Sequence, residues 1–550
     1  MTLRVIPLGG LGEIGLNCML FDGGDSALLL DAGLLFPDDT MLGVDYVVPD
    51  FSVLKETAPH LDALLLTHGH EDHIGAIPFL LQEFDIPVYG TRLTLGLLRH
   101  RLAEHGLEGT ARLHPIARGE RFRAGGFDVE AFPVCHSIPD AVGYVLRCSE
   151  GTFVHTGDFK IDPYPPDGVP TGVARLREIS ASERVTALFS DSTNVERAGV
   201  SPPEKFVGEA LAEIFGQAQG RVIVAMFSSN LHRIGEAIRA AAGAGRRVAL
   251  CGKSMVRNVA TAVELGYLAL PSPDTLVPVE DAASLPDRAV AVLTTGSQGE
   301  PRSALTLMAL GEHKHLKVRP GDTAVLSSKF IPGNERAIAS VINRLFLAGA
   351  DVLYEKISEV HVSGHGSIEE LREMIAAVRP ENFVPVHGEP RLLVRHRNLA
   401  RDMGVPHVEM LRNGDVLVFE GGRMSLSGRI EVGRRFVDGK GIGDVESLVL
   451  KDRIHLSQVG LVMVVLAISS TTGEILYGPD IVTRGVVTEN GPEALIDGAR
   501  DEVLRALEEA GAGARTDTTE MQTEIRRVVR RYFNKRIDRK PMIVPVLMEL

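Results

Sequence analysis

The chain of 550 residues contains no Trp, and aromatic residues make up only 5% of it. Its cores must therefore be built from Leu, Val, Ile and Ala. Cysteine is scarce: Cys18, Cys135, Cys148 and Cys251 are widely spaced and form no C-x-x-C pair. That excludes a disulfide framework and a thiolate zinc ribbon, and implies free buried thiols in a reducing compartment. No apolar run reaches 18 residues, so no membrane span and no membrane partner is expected. The segment from Met1 to Pro7 reads as a strand. It lacks the basic start and long apolar stretch of a secretory leader, so a cytoplasmic protein is expected. An excess of positive charge is also missing, since the formal net charge is −14. This excludes uniform coating of a polyanion, but not a groove in which positive charge, metal ions included, is concentrated.

What is present is the composition of a globular protein, 44% apolar and 24% charged. At about 150 residues per domain, three or four units are expected. Residues 1–160 alternate short apolar runs with Gly-rich turns and read as buried strands with polar residues at their ends. Ser201-Pro202-Pro203-Glu204 reads as a helix start with Ser201 as N-cap. Residues 204–355 then alternate strands and helices, a βαβ pattern that predicts a parallel α/β subdomain. From about 357 the turns rich in His and Gly return. Residues 421–445 are polar and Gly-rich and read as a linker, and 454–550 as a separate small unit with strands, two helices and a closing strand.

Gly10-Leu11-Gly12-Glu13-Ile14-Gly15 matches G-x-G-x-x-G after a strand. A dinucleotide site needs a helix to open there, and the residues from Asn17 to Asp22 read instead as a second strand. The match is a Gly-rich strand connection.

The strongest signal is His68-x-His70-x-Asp72-His73, which follows the apolar run Leu64-Leu65-Leu66. Crowded imidazoles and carboxylates at a strand end are unfavourable without a partner that satisfies them. Imidazole nitrogen and carboxylate oxygen are donors that divalent zinc accepts. His136, Asp158 and His387 stand at later strand ends. Each alone reads as structural; with the cluster they supply what two divalent metal ions need. His68, His70 and His136 would serve one ion, Asp72, His73 and His387 the other, and Asp158 would bridge. Asp31, in Leu30-Asp31-Ala32-Gly33, is either a turn residue or an acceptor that orients a ligating imidazole.

This set, D-x-G at Asp31, H-x-H-x-D-H from His68, then His136, Asp158 and His387, resembles the metallo-β-lactamase superfamily. The resemblance implies an α/β fold, an αββα sandwich of two sheets flanked by helices. The long stretch between Asp158 and His387 resembles the β-CASP insertion of nucleic-acid-processing members. Asp191-Ser192-Thr193 resembles its motif A, His361-Val362-Ser363-Gly364-His365-Gly366 its motif B, and His387 its motif C. The order of elements and the C-terminal unit resemble the ribonuclease J family. That implies a metallo-β-lactamase domain in two parts, 1–205 and 356–425. A β-CASP domain at 206–355 would lie between them, followed by a linker at 426–453 and a small α+β C-terminal domain at 454–550.

The resemblance further implies a metal-dependent ribonuclease acting on single-stranded RNA, from a 5′-monophosphate end in the 5′-to-3′ direction and also internally. Asp72, Asp191 and His365 would be catalytic, His365 as general acid held cationic and oriented by Asp191. Ser367-Ile368-Glu369-Glu370 reads as a capping box, so a helix N-terminus beside His365 is expected to offer amides to a phosphate. His361, Ser363 and Gly364 would help hold that phosphate, with Ser228, Ser229 and Asn230 on the opposite wall. Ordinary Gly/Ser turns are the competing reading for each. Donor types suit both zinc and manganese. The family also implies a homodimer or homotetramer through the C-terminal domain and a place in an RNA-degradation complex. Arg526, Arg527, Arg530, Arg531, Lys535 and Arg536 share one broad helical face there, for RNA contact, for subunit contact or simply for solvent. A small-ester hydrolase, a non-catalytic RNA-binding scaffold and a DNA nuclease are the rival readings; His387 tilts the last toward RNA.

Overall fold

Short apolar runs such as Ala27–Leu30 and Leu61–Leu65 are almost wholly buried strands, because both of their faces are covered. In the computed structural model, which describes residues 2–550 except 39, 332, 440, 444–446, 487–491 and 511–516, they belong to an eight-stranded sheet. That sheet packs on a seven-stranded one through a core that includes Phe21, Leu28, Leu65, Tyr144, Phe153 and Phe189. The seven-stranded sheet buries its other face against the helices Val173–Ser182, Ile368–Val378 and Pro390–Asp402. This is the αββα sandwich. The strands Gly151–His155, Val185–Asp191 and Asn382–Val386 run parallel. Phe127–Pro133 runs the same way, being antiparallel to a strand that is antiparallel to Gly151–His155. Their C-terminal ends therefore share one edge of the sandwich.

Between Asp191 and His361 the chain builds a six-stranded sheet whose pairings are all parallel, with helices such as Glu204–Gln217, Leu231–Gly243 and Glu335–Leu347 packed around it. Its core is separate and rests on Ile223, Val292, Leu305 and Leu345. The helix expected after Ser201 begins at Glu204 with Pro203 as its N-cap residue. Ser201 is otherwise engaged: its amide donates to Glu370 Oε2 at 2.6 Å and its hydroxyl to the His365 carbonyl at 2.8 Å.

A second unit comprises Pro37–Asp45 and Phe436–Leu550. Its strands Leu461–Ile468, Ile475–Arg484 and Met542–Glu549 form one sheet, packed on the helices Pro492–Glu509 and Thr518–Ile537. The stretch 426–453, expected as a linker, carries regular structure: the strands Arg434–Asp438 and Gly441–Gly443 and the start of the helix Ser447–Val459. Residues 440 and 444–446 of that stretch lie outside the described residues. No described helix is long and apolar enough to cross a membrane.

Candidate metal centre and active site

The shared edge collects the polar residues. Asp31 follows Ala27–Leu30, His68 follows Leu61–Leu65, His136 follows Phe127–Pro133, Asp158 follows Gly151–His155, Asp191 ends its strand and His387 follows Asn382–Val386. His68 and His70 lie on the loop. Asp72 and His73 lie on a helical turn, Glu71–Ile74. Gly33 makes the tight packing there feasible, since a Cβ on it would overlap the Asp72 backbone carbonyl. Asp31 and His387 both adopt left-handed backbone, at φ 58° and 52°, a conformation uncommon for non-glycine residues that clusters at functional sites.

Two groups of ligand-type side chains converge, His68, His70, His136 and Asp158, and Asp72, His73, Asp158 and His387, each with its donor atoms within 4.8 Å of one another. Asp158 belongs to both. The hydrogen bonds around the cluster fix which nitrogens face inward. Thr67 Oγ1 donates to Asp31 Oδ2 at 2.8 Å, so His68 Nδ1 donates to Thr67 at 3.0 Å and leaves its Nε2 bare. His73 Nδ1 donates to Asp31 at 2.7 Å, His136 Nδ1 to the Gly364 carbonyl at 2.8 Å and His387 Nδ1 to Asn17 Oδ1 at 2.7 Å. The inward nitrogens crowd together: His68 Nε2 and His136 Nε2 stand 2.9 and 3.1 Å from His70 Nδ1. His73 Nε2 faces Asp158 at 3.2 Å and Asp72 at 3.6 Å. Nitrogen lone pairs pressed on one another and on carboxylates, in a buried site, are satisfied by cations, and the donor set is one that zinc or manganese accepts.

The electrostatics agree. Burial, then His73 and His70, hold His68 well below the usual imidazole range, and burial and His136 do the same for His70. Burial and His365 push His136 down to about 3. These are neutral imidazoles, the form that binds metal. Burial alone would raise the Asp158 carboxyl, but His387 and His73 outweigh it and hold it well below the carboxylate range.

His365 stands beside this cluster. Its Nδ1 donates to Asp191 Oδ2 at 2.7 Å, and its ring lies 4.9 Å from that of His136. Burial would lower its pKa, but Asp191 outweighs that and raises it to about 9. The side chains of His365 and Asp72 are 21% and 28% exposed, against 1–4% for most of the cluster, so these two face the opening.

The residues expected to hold phosphate are placed differently. Ser363 Oγ accepts from the His365 amide at 3.1 Å, and Gly364 supplies the carbonyl for His136. The amides of Gly366, Ser367, Ile368, Glu369 and Glu370 all have acceptors within the protein, so the helix start beside His365 has none to offer an anion. Asn230 is buried and its side chain caps the helix Leu231–Gly243. Ser228 and Ser229 are half-buried on the loop before it. His361 does not stand free: its Nδ1 accepts from Arg233 at 2.8 Å. The fully buried Arg233 also binds the Glu204 carboxylate at 2.7 and 3.1 Å and the carbonyls of Ser327 and Val362 at 2.9 Å. It ties two helices of the inserted domain to the segment that leads to His365.

Sequence reasoning missed Asn17, Thr67, Arg233 and Glu204. Each has a partner far along the chain, Asp31 for Thr67, His387 for Asn17 and each other for Arg233 and Glu204, and no local pattern marks them. The carboxylate of Glu204 sits in a site where burial would raise it, and Arg233 overrides that and lowers it.

Comparison with known proteins gives the same picture from another side. Family models match residues 219–345 (Ribonuclease J, beta-CASP domain), 448–550 (Ribonuclease J C-terminal domain), 28–180 (Beta-lactamase superfamily domain) and 349–410 (Zn-dependent metallo-hydrolase RNA specificity domain). Ribonuclease J of Thermus thermophilus is 41% identical, covering 100% of this chain and 95% of that protein. Ribonuclease J of Mycobacterium tuberculosis is also 41% identical, covering 100% and 97%, and Ribonuclease J2 of Bacillus subtilis is 38% identical, covering 100% and 99%. A crystal structure of a protein of unknown function from Enterococcus faecalis shares the fold at a TM-score of 0.52 and 15% identity, covering 78% of this chain and 100% of that one. The chain belongs to the ribonuclease J family.

Proposed function

We propose that this protein is a metal-dependent ribonuclease that processes and degrades single-stranded RNA, entering from a 5′-monophosphate end and also cutting internally. The observation that carries the reading is the convergence of two ligand groups on Asp158 with His365–Asp191 beside them. His68, His70, His136 and Asp158 would hold one divalent cation, and Asp72, His73, His387 and Asp158 a second, zinc first and manganese as the alternative. Such a pair supplies Lewis-acid charge to a phosphodiester and to attacking water. His365 holds a proton at the mouth of the site and delivers it to the leaving oxygen, while Asp191 keeps the ring oriented and favours its cationic form. The open amides of Ser363 and Gly364, which meet no acceptor among the described residues, and the hydroxyls of Ser228 and Ser229 are our candidates for positioning phosphate. Asn230 and His361 support these walls from behind.

In this reading 1–205 and 356–425 form the catalytic domain, 206–355 the β-CASP wall, and 454–550 a domain for assembly into dimers or tetramers and, through them, into an RNA-degradation complex. Met463, Val465, Val544 and Val546 alternate with the core-facing Val462, Val464 and Leu466 and leave an apolar, partly exposed sheet face suited to self-association.

The test is an RNA labelled at its 3′ end and carrying a 5′-monophosphate, incubated with purified protein with and without chelator, beside matched single-stranded DNA. Chelator-sensitive shortening of the RNA from its 5′ end is expected. Absence of cleavage of either polymer by metal-loaded protein overturns the nuclease reading in favour of a scaffold.

A further inference from the structure

The helix Thr518–Ile537 in the C-terminal unit carries a row of arginines that nothing in the catalytic site uses. Arg526, Arg530 and Arg531 are exposed and, with Lys540, line a groove of about 690 Å³ that also borders the helix Ser447–Val459. Arg527 shares the groove but is held by Glu524. Arg526, Arg530, Arg531 and Lys540 make no hydrogen bond or ion pair among the described residues. Among the described residues Asp452 is the one carboxylate lining the groove.

This concentration of charge runs against the whole chain, whose formal net charge is −14. Like charges four apart on a helix, here Arg526 with Arg530 and Arg527 with Arg531, repel each other and destabilise it. Solubility does not require that arrangement, because the surface is already strongly charged in the other sense. An anion in the groove removes the repulsion. Arginine presents a planar fork of donors that matches phosphate oxygens two at a time. Asn534 adds a polar group on the same face, and Met542 and Ile543 give an apolar strip. Among the described residues no Phe or Tyr lines the groove and His455 is its one imidazole, while four arginines and Lys540 line it, so recognition falls mainly on the backbone.

We propose that this groove binds the phosphodiester backbone of single-stranded RNA without regard to sequence, as a second contact carried by the C-terminal unit. The proposal rests on the reading of the protein as an RNA nuclease. The experiment uses full-length, metal-loaded protein and a 20-nucleotide RNA with phosphorothioate linkages throughout, to resist cleavage. Binding is followed by fluorescence anisotropy across a salt series for the native chain and for Arg526→Gln/Arg530→Gln/Arg531→Gln. Gln keeps the helix, since its propensity is close to that of Arg. At about 0.7 in the log–log salt slope per single-strand phosphate contact, the triple variant should lose about 2 from the slope. It should also bind at least tenfold more weakly at low salt, with unchanged molar mass and unchanged hydrolysis of a four-nucleotide RNA. An unchanged slope and affinity overturn the proposal. So does a loss of binding that accompanies a change in oligomeric mass, which would make the groove a subunit contact. If the native chain hydrolyses RNA but the variant binds as well as it does, only the groove fails; if the native chain hydrolyses no RNA, the nuclease reading fails first.

Discussion

Replacing Arg233 by Met keeps most of the side-chain volume but removes the cation that neutralises Glu204. Both groups are buried, with side-chain exposures of 1% and 3%. Removing one partner of a buried ion pair typically costs about 3–5 kcal/mol, because the other charge is left unpaired in a low-dielectric site. Lys160, 4.0 Å from Glu204, already serves Asp162 at 3.1 Å and recovers little of this. With a urea slope of about 1–3 kcal/mol per M, the inserted domain should unfold at least roughly 1 M earlier. A chain of this size need not unfold in one step. Hydrogen exchange in the central strand Val222–Ala225 therefore reports the domain itself. The pH dependence has a definite sign. In the native protein the Glu204 carboxyl is held below its ordinary value, so its stabilisation is complete above about pH 4.5 and fades as pH falls through the lowered value. Without Arg233, burial dominates and raises it, so the destabilisation is largest at neutral pH and shrinks as pH falls. Arg233→Met combined with Glu204→Gln should regain part of the loss. An unchanged urea midpoint in the single variant, or no recovery in the double, refutes the argument that an uncompensated carboxylate is the cause.

His365→Ala should lower kcat on RNA by about 10²–10⁴ while leaving metal content, read by mass spectrometry, unchanged. Asp31→Ala frees the ring of His73 and releases the Thr67 hydroxyl; metal affinity should fall by about 10–100-fold, measured by competition with a chromogenic chelator. Gly33→Ala drives a methyl into the backbone carbonyl of Asp72, so the turn that presents Asp72 and His73 must shift. The purified variant should carry less metal and cleave RNA more slowly, and full metal occupancy with native activity would contradict the close approach described above.

How much of this could be read in the sequence depended on distance along the chain. His68, His70, Asp72 and His73 were legible because four donors fall within six residues. His136, Asp158 and His387 gained meaning only beside that cluster, since a single His or Asp after a strand is ordinary, and Asp191 and His365 only through resemblance. Asn17 was invisible: it bonds His73 and His387, which lie 56 and 370 positions away, and sits in a Gly-rich turn that imitates a cofactor motif. The α/β pattern of the insertion followed from alternating strands and helices. The helix Ser447–Val459 did not, because Val449, Leu450, Ile454, Leu456 and Val459 fall on no single stripe of its surface. The capping box at Ser367 was legible, but its consequence was misjudged. Pattern alone cannot tell that Phe159, Arg197 and Gly199 already supply carbonyls to the same helix start.

The placement of the insertion bears on the chemistry directly. The chain leaves the sandwich just after Asp191 and returns through His361 and Val362 to His365, so the two members of the hydrogen-bonded His365–Asp191 pair flank the inserted domain. Arg233 of that domain, itself held by Glu204, grips the returning segment at His361 and Val362. On the other side Ser201 and Asn194 hold the His365 carbonyl at 2.8 and 3.2 Å. The loop that carries His365 is thus located by residues on both the departing and the returning segments of the insertion, while the donors of the cluster around Asp158 come from the sandwich and meet the returning segment where His136 donates to the Gly364 carbonyl. A lesion inside the insertion core should therefore separate the two functions. It should displace His365 and slow cleavage before it costs the protein its metal.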